Sequence, residues 1–287
     1  MTVRSNGFDT LRLLAAFMVM WGHGFVLHGD GVGYGFGFEH IGLCIFFLIS
    51  GHLVTQSWQR DPHLLRFMAR RALRIMPALA VVVFLTAFAL GPFVTSLPTD
   101  AYLRDGDTWA YLRWAVFLPR SFQLPGVFPH NAGAGVANGS LWSLPLEAVC
   151  YALVAAAGLA RTFTRLFAAI AFAAASWGAY RMGGPILPPL ACFAGGALLA
   201  TCGARVSIKL PAPPVDMSYG VYLYAYPLQQ TIVMLFPHWS AIACFAAAVP
   251  LVLVPAYASW RLVEAPALRL KPHGSRPAVA VGDLAVS

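Results

Sequence analysis

Arg12 and His23 stand eleven residues apart in the apolar stretch FDTLRLLAAFMVMWGHGFVLHG. In a helix that separation is three turns plus roughly 20°, so both side chains share one face, about 16 Å apart along the axis. Ionisable side chains at membrane depth are costly and are functional candidates by default. Histidine is the side chain best suited to move protons near neutral pH. The pair reads as a polar track through lipid, a guanidinium near its entry and a proton-transfer group past the midplane. The plainer alternative makes Arg12 an interfacial anchor and His23 a satisfied packing histidine. Asp9, three residues before Arg12, is placed to pair with it.

Two further sets of residues could do chemistry. Within NGSLWSLPLEAVCY, Glu147 is an acid inside an apolar span, assigned to its outer half. A buried carboxylate needs a partner or a raised pKa; His23, Arg113 or a sugar hydroxyl would serve, and a purely structural partner is the alternative. In RRALRI, the pairs Arg71/Arg74 and Arg70/Arg74 are spaced i, i+3 and i, i+4 and cluster on adjoining faces. At the inner surface they would hold the phosphates of a cytosolic ligand through guanidinium pairs, or act only as topology charges.

The elements that must position these groups follow from composition. Of 287 residues 59% are hydrophobic and 10% charged, with a mean hydropathy of +0.69. Soluble domains carry about 25% charge, so the chain reads as a polytopic, all-α membrane bundle. Eight apolar spans are expected, near 11–28, 41–58, 76–96, 141–160, 166–180, 186–203, 218–236 and 240–262, with both termini cytoplasmic. On that topology only Arg104, Arg113, Arg120 and Arg181 of the 19 Lys and Arg fall outside. This bias obeys the positive-inside rule, so the net charge of +8 orients the protein in a bilayer and does not argue for nucleic acid. The first span is followed by LHGDGVGYGFGFEH, without a small-residue cleavage pattern, and reads as a retained helix. Cys44, Cys150, Cys192, Cys202 and Cys244 lie in apolar stretches without a CxxC pair, which suggests packing residues and no metal site.

Between the spans, the Gly-rich loop 29–40 carries Asp30 and Glu39 outside. DPHLLRFMARRALRIMP reads as a short basic helix inside, bounded by prolines. In the long outer segment 97–140, DTWAYLRWAVFL reads as an interfacial helix capped by Asp107 or Thr108, with Trp109, Tyr111 and Trp114 at headgroup level. The remainder of that segment is a loop that could cover an external site. Asn138 and Ser140 are candidate caps of the fourth span. Ser50 and Gly51 would allow close helix approach, with His52 meeting a neighbouring helix. Tyr219, Tyr222, Tyr224 and Tyr226 suit an inner interfacial belt. A membrane domain is expected over 1–265 and a short disordered cytoplasmic tail over 266–287, with no attached soluble enzyme domain.

Taken in order, these strings resemble acyltransferase family 3 membrane proteins. The Arg-x10-His of the first helix is similar to that family's signature. FFLISG, RRALRI before Pro77, NGSLWSLPLE, SYGVYLYAYP and WRLVEAPALRL each resemble a family block, from about residue 8 to 270. Departures include Leu13 where Gly often follows the Arg, Ala148 after the fourth-span Glu, and Ala225 where His is common. Many members also have about ten spans.

The resemblance implies transfer of an acyl group, usually acetyl, from acyl-CoA to a hydroxyl of a carbohydrate or lipid-linked glycan at a bacterial inner membrane. It implies His23 as the catalytic residue, supported by Arg12, with Arg71 and Arg74, and by position Arg70, at the donor site. Glu147 would orient His23 or the acceptor. A transporter or flippase for lipid-linked saccharides using the same track is the alternative, and an inactive scaffold a third. The enzyme reading expects Arg12, His23 and Glu147 to face a common void reaching the inner surface.

Overall fold

The computed structural model describes residues 7–29, 37–118, 121–132, 135–204, 206, 208–211 and 213–272. Arg4, Asp30, Arg120, Arg205, Arg276 and the tail beyond 272 lie outside the described residues. Those described form an all-helical membrane bundle. The two isolated bridges, Thr95 with Val127 and Gln123 with Val136, both lie in the long outer segment.

Five helices are long and apolar enough to cross a membrane: α1 (Gly7–His28), α2 (Phe38–Arg60), α3 (Leu64–Val94), a fourth over Gly139–Leu159 and a last over Ala241–Arg269. The other three expected spans appear as helices of 18, 15 and 18 residues, Arg165–Met182, Leu187–Thr201 and Ser218–Leu235. In chain order, after the short helices α4 (Thr99–Arg104) and α5 (Gly106–Ala110), we number the Gly139–Leu159 helix α6. The helices Arg165–Met182, Leu187–Thr201, Ser218–Leu235 and Ala241–Arg269 follow as α7 to α10.

The basic segment and the third span are one helix. α3 begins after His63, whose side chain accepts from the Arg66 backbone N–H, and passes through Pro77 without ending. Residues Leu85–Leu90 form a π-helical stretch before the last turn. A proline removes one helical hydrogen bond, but in lipid any other backbone form would leave more polar groups unsatisfied. α10 tolerates Pro250 and Pro255 in the same way. At its end Ala265–Arg269 remains helical.

α2 packs tightly on α8, and small residues make this possible. A Cβ on Gly51 would overlap the Phe193 carbonyl, and one on Gly196 the Leu48 carbonyl. α1 lies between α2 and α9, and α10 lies against α9.

The outer segment folds onto this bundle. Its cap is Asp105, which accepts from the Asp107 N–H, and Asp107 and Thr108 do not cap it. Trp109 is 56% exposed, whereas Tyr111 and Trp114 are buried, so only the first sits at a boundary. The Tyr102 hydroxyl donates to the Ala87 carbonyl at 2.7 Å, and burial pushes its pKa up to about 12. Asn131 Nδ2 donates to the Gln230 carbonyl at 2.8 Å, and Asn138 Nδ2 to the Leu223 carbonyl at 2.9 Å. Asn138 also caps the turn opening α6, accepting from the Ser140 N–H at 3.2 Å. Two amides thus tie the loop to α9, most of whose residues are buried.

Candidate active site

Two cavities are stacked along the axis formed by α1, α2, α6 and α9. The inner one, about 740 Å³, is lined by Arg12, Arg71, Arg74, Glu147, Asp216 and Lys271 among others. The outer one, about 330 Å³, is lined by His23, Glu39, His40, Trp142 and Tyr222 with apolar neighbours. Arg12 and His23 do share a helical stripe, but they open into different cavities. The single continuous void expected from their spacing is divided in two.

In the inner cavity two of the cations, Arg12 and Arg74, are committed to acids. Arg12 Nη1 lies 3.2 Å from Asp9 and 3.9 Å from Asp216. Arg74 Nη2 donates to Asp216 at 2.7 Å, and its Nη1 is 3.8 Å from Glu264. Burial works to raise the Asp216 pKa, but the Arg74 and Arg12 guanidiniums and the Ser218 hydroxyl outweigh it and hold the carboxyl below its usual value. Glu264, 2% exposed, sits in the π-helical end of α10 and accepts from the Ser259 hydroxyl at 3.1 Å. Glu264, like Glu147, is thus an acid within a long apolar helix.

Arg71 differs. It lies over the rings of Phe67 and Tyr151, each 5.9 Å from the guanidinium carbon, and reaches Ser57 Oγ at 3.5 Å. Its Nε is buried without a hydrogen-bond partner, and among the described residues no carboxylate pairs with it. Lys271 lines the same cavity. Burial, then the neighbouring Arg74, Arg71, Arg12 and Arg70, bring its ammonium pKa down to about 8. Arg70 is placed elsewhere: its Nη1 donates to Asp61 at 2.6 Å, beside Arg66, which bonds both oxygens of that carboxylate. The two arginines hold the Asp61 carboxyl well below the usual carboxylate range.

Glu147 faces the inner cavity and touches neither His23 nor Arg113. It accepts from the Ser50 hydroxyl at 2.8 Å and from the Tyr151 hydroxyl. Glu147 lies more than a helical turn along α6 from Trp142, which stands at the outer end.

In the outer cavity His23 Nδ1 is buried and unpartnered, and the Tyr226 ring meets the imidazole edge-on at 5.2 Å. Glu39 shares a 2.9 Å hydrogen bond with His40 Nδ1. Its other oxygen is buried beside Gly22, where any Cβ would overlap the carboxylate. Only glycine at 22 lets this acid approach the backbone next to His23. Tyr222, Tyr224 and Tyr226 are buried, so the tyrosines of α9 form an inner wall and not an interfacial belt. Sequence reasoning places Tyr222 and Tyr226 in a belt and Glu39 in a loop, and marks none of them as a site residue. The aromatic run was visible, but a run alone does not tell lipid-facing from cavity-facing rings.

A family model described as an acyltransferase domain matches residues 5–213. The chain belongs to acyltransferase family 3. The O-acetyl transferase of Shigella phage Sf6 is 31% identical over 327 residues, covering 91% of this chain and 95% of that protein. Nodulation protein 10 of Rhizobium leguminosarum bv. viciae is 36% identical over 159 residues, covering 51% of this chain and 42% of its own length. No solved structure matches. This acyltransferase thus has a multi-pass helical membrane domain. The family match takes in α1, α2, α3 and α6, whereas Tyr219, Tyr222, Glu264 and Lys271 follow it. Among the described residues no group of His, Cys, Asp and Glu could hold a metal ion.

Proposed function

We propose that this acyltransferase moves an acyl group, acetyl in the simplest case, from cytosolic acyl-CoA to a hydroxyl of a carbohydrate or lipid-linked glycan at the bacterial inner membrane. In this reading the chain crosses the bilayer eight times with both termini in the cytoplasm. The observation that carries it is the stacking of a cation-lined cavity beneath a smaller one into which His23 opens, with its Nδ1 buried and without a hydrogen-bond partner.

Donor phosphates enter the inner cavity and meet the uncommitted cations first, Arg71 and Lys271. Arg12 and Arg74, already neutralised by Asp9, Asp216 and Glu264, shape the wall. The pantetheine arm spans the ~16 Å rise between Arg12 and His23. The acceptor enters the outer cavity, where Trp142 offers a face to a sugar ring and Glu39 with His40 offers partners to its hydroxyls. Neutral His23 takes the proton from the acceptor hydroxyl as its oxygen bonds to the thioester carbonyl carbon. The C–S bond then breaks, and the coenzyme thiolate leaves and recovers the proton. General-base assistance of this kind contributes about 10²–10⁴ in rate.

The test is transfer from labelled acetyl-CoA to candidate glycans by purified protein in lipid nanodiscs. His23→Ala should lower transfer at least about 10²-fold. Wild-type transfer by that variant would remove the assignment.

A further inference from the structure

Four helices each serve both cavities. α1 gives Asp9 and Arg12 to the inner one, then Val19 and His23 to the outer. α2 gives Leu43 to the outer, then Phe46, Ser50 and Ser57 to the inner. α9 passes from Tyr219 to Tyr222, and α6 from Trp142 to Glu147. By helix rise, three residues on α2 or α9 separate the two voids, about 4.5 Å.

One contact occupies that level. The Phe46 ring, a wall of the inner cavity, meets the Tyr222 ring, a wall of the outer, edge-on with centroids 5.8 Å apart and planes at 68°. The two halves of the contact are held differently. Tyr222 is buried and pinned: its hydroxyl donates to the Ser140 carbonyl at 2.6 Å, which leaves the Ser143 hydroxyl to donate to it, also at 2.6 Å. Phe46 has no polar atom and is held by packing alone, so its rotation breaks no hydrogen bond. Leu43, one turn away on the same stripe, already lines the His23 side.

We propose that the Phe46–Tyr222 pair is the partition that the acyl end of the donor must cross, with Phe46 as its moving half and the determinant of how long an acyl chain reaches His23. The proposal rests on the donor and His23 roles given above. Rings closed around the threaded arm also keep water of the inner cavity from a thioester carbonyl lodged at His23. A small acetyl group needs only a ring rotation, whereas each added methylene must displace packed ring atoms. Apolar pockets discriminate by about 10–200-fold per methylene.

The experiment compares kcat/KM for acetyl-, butyryl- and hexanoyl-CoA, and acceptor-free coenzyme release, in wild type, Phe46→Ala and Phe46→Leu. A denaturation midpoint for each variant checks folding. Phe46→Ala should raise the hexanoyl-to-acetyl ratio at least about tenfold and increase hydrolysis without acceptor, with Phe46→Leu intermediate. Tyr222→Phe, which keeps the ring and frees it from Ser140 and Ser143, should shift the ratio the same way by less. If Phe46→Ala fails to fold, Phe46→Leu and Tyr222→Phe decide by the same ratio. Unchanged chain-length ratios in the folded variants overturn the partition. If His23→Ala still abolishes transfer, that result leaves the proposed function standing; transfer surviving in His23→Ala removes the function reading itself.

Discussion

The inner and outer cavities solve opposite problems. The inner one gathers Arg12, Arg71, Arg74 and Lys271 in a small volume and must keep them from repelling one another. It does so with Asp9, Asp216 and Glu264, which pair with Arg12 and Arg74 and leave Arg71 over two aromatic rings. The outer cavity sets the His23 imidazole in a mainly apolar wall, where a positive charge would be poorly solvated. Binding an anion calls for uncommitted fixed charge, and accepting a proton calls for an uncharged base. The separation of the two cavities lets both exist a few turns apart.

The comparison breaks first at His23. His23→Ala should abolish transfer while leaving coenzyme A affinity within about twofold, measured by calorimetry, because His23 does not line the inner cavity. A matching loss of coenzyme A affinity would merge the two regions. Next in size is Asp216→Asn, which leaves Arg74 with only the more distant Glu264. It should lower stability by about 2–3 kcal/mol, read as the denaturation midpoint in nanodiscs. The sign with pH is set by the lowered Asp216 pKa. Its stabilisation is full above the unfolded carboxylate value of about 3.9 and is lost as pH falls through the lower folded value. Asp216→Asn should therefore flatten the acid limb of the stability curve.

Arg71→Ala should raise KM for the donor about 10–100-fold with little change in midpoint, because no carboxylate is left unpaired by its removal. Lys271 sharpens the same region. With its pKa near 8, the ammonium is present below that pH and lost above it, so donor KM should rise as pH passes through 8. Lys271→Gln should remove that limb. The smallest effect belongs to Arg70→Ala. Arg70 points at Asp61, away from the cavity, so donor KM should stay within about twofold and stability should fall by under about 1 kcal/mol.

Much of this was legible in residue order. Apolar runs of about twenty residues revealed the long helices, and an i, i+11 spacing put Arg12 and His23 on one stripe. Small residues at 50 and 51 announced a close crossing, which Gly51 makes on α8. Other readings failed for a shared reason. Pro77 reads as a helix end by local propensity, yet α3 runs through it because lipid penalises irregular backbone. The tyrosines of α9 read as a belt because their spacing fits any helix face.

Glu147 shows the limit most clearly. Its position on α6 is set by sequence, but whether it turns toward His23 or toward Ser50 depends on the rotation of α6 against α2. Glu39 and Lys271 had no local signature, since each acquires its setting from helices distant in sequence.

The order of residues alone determined a helical membrane chain, a stripe bearing a guanidinium and an imidazole, and a basic cluster near one end. All three follow from short-range physics, the helical period and the cost of burying charge. Only the tertiary structure decided that the stripe opens into two cavities, which arginine stays unpaired, and which rings stand between. Those outcomes depend on the rotation and depth of packed helices, set jointly by small-residue contacts and buried ion pairs between segments far apart in the chain, as Arg12 with Asp216.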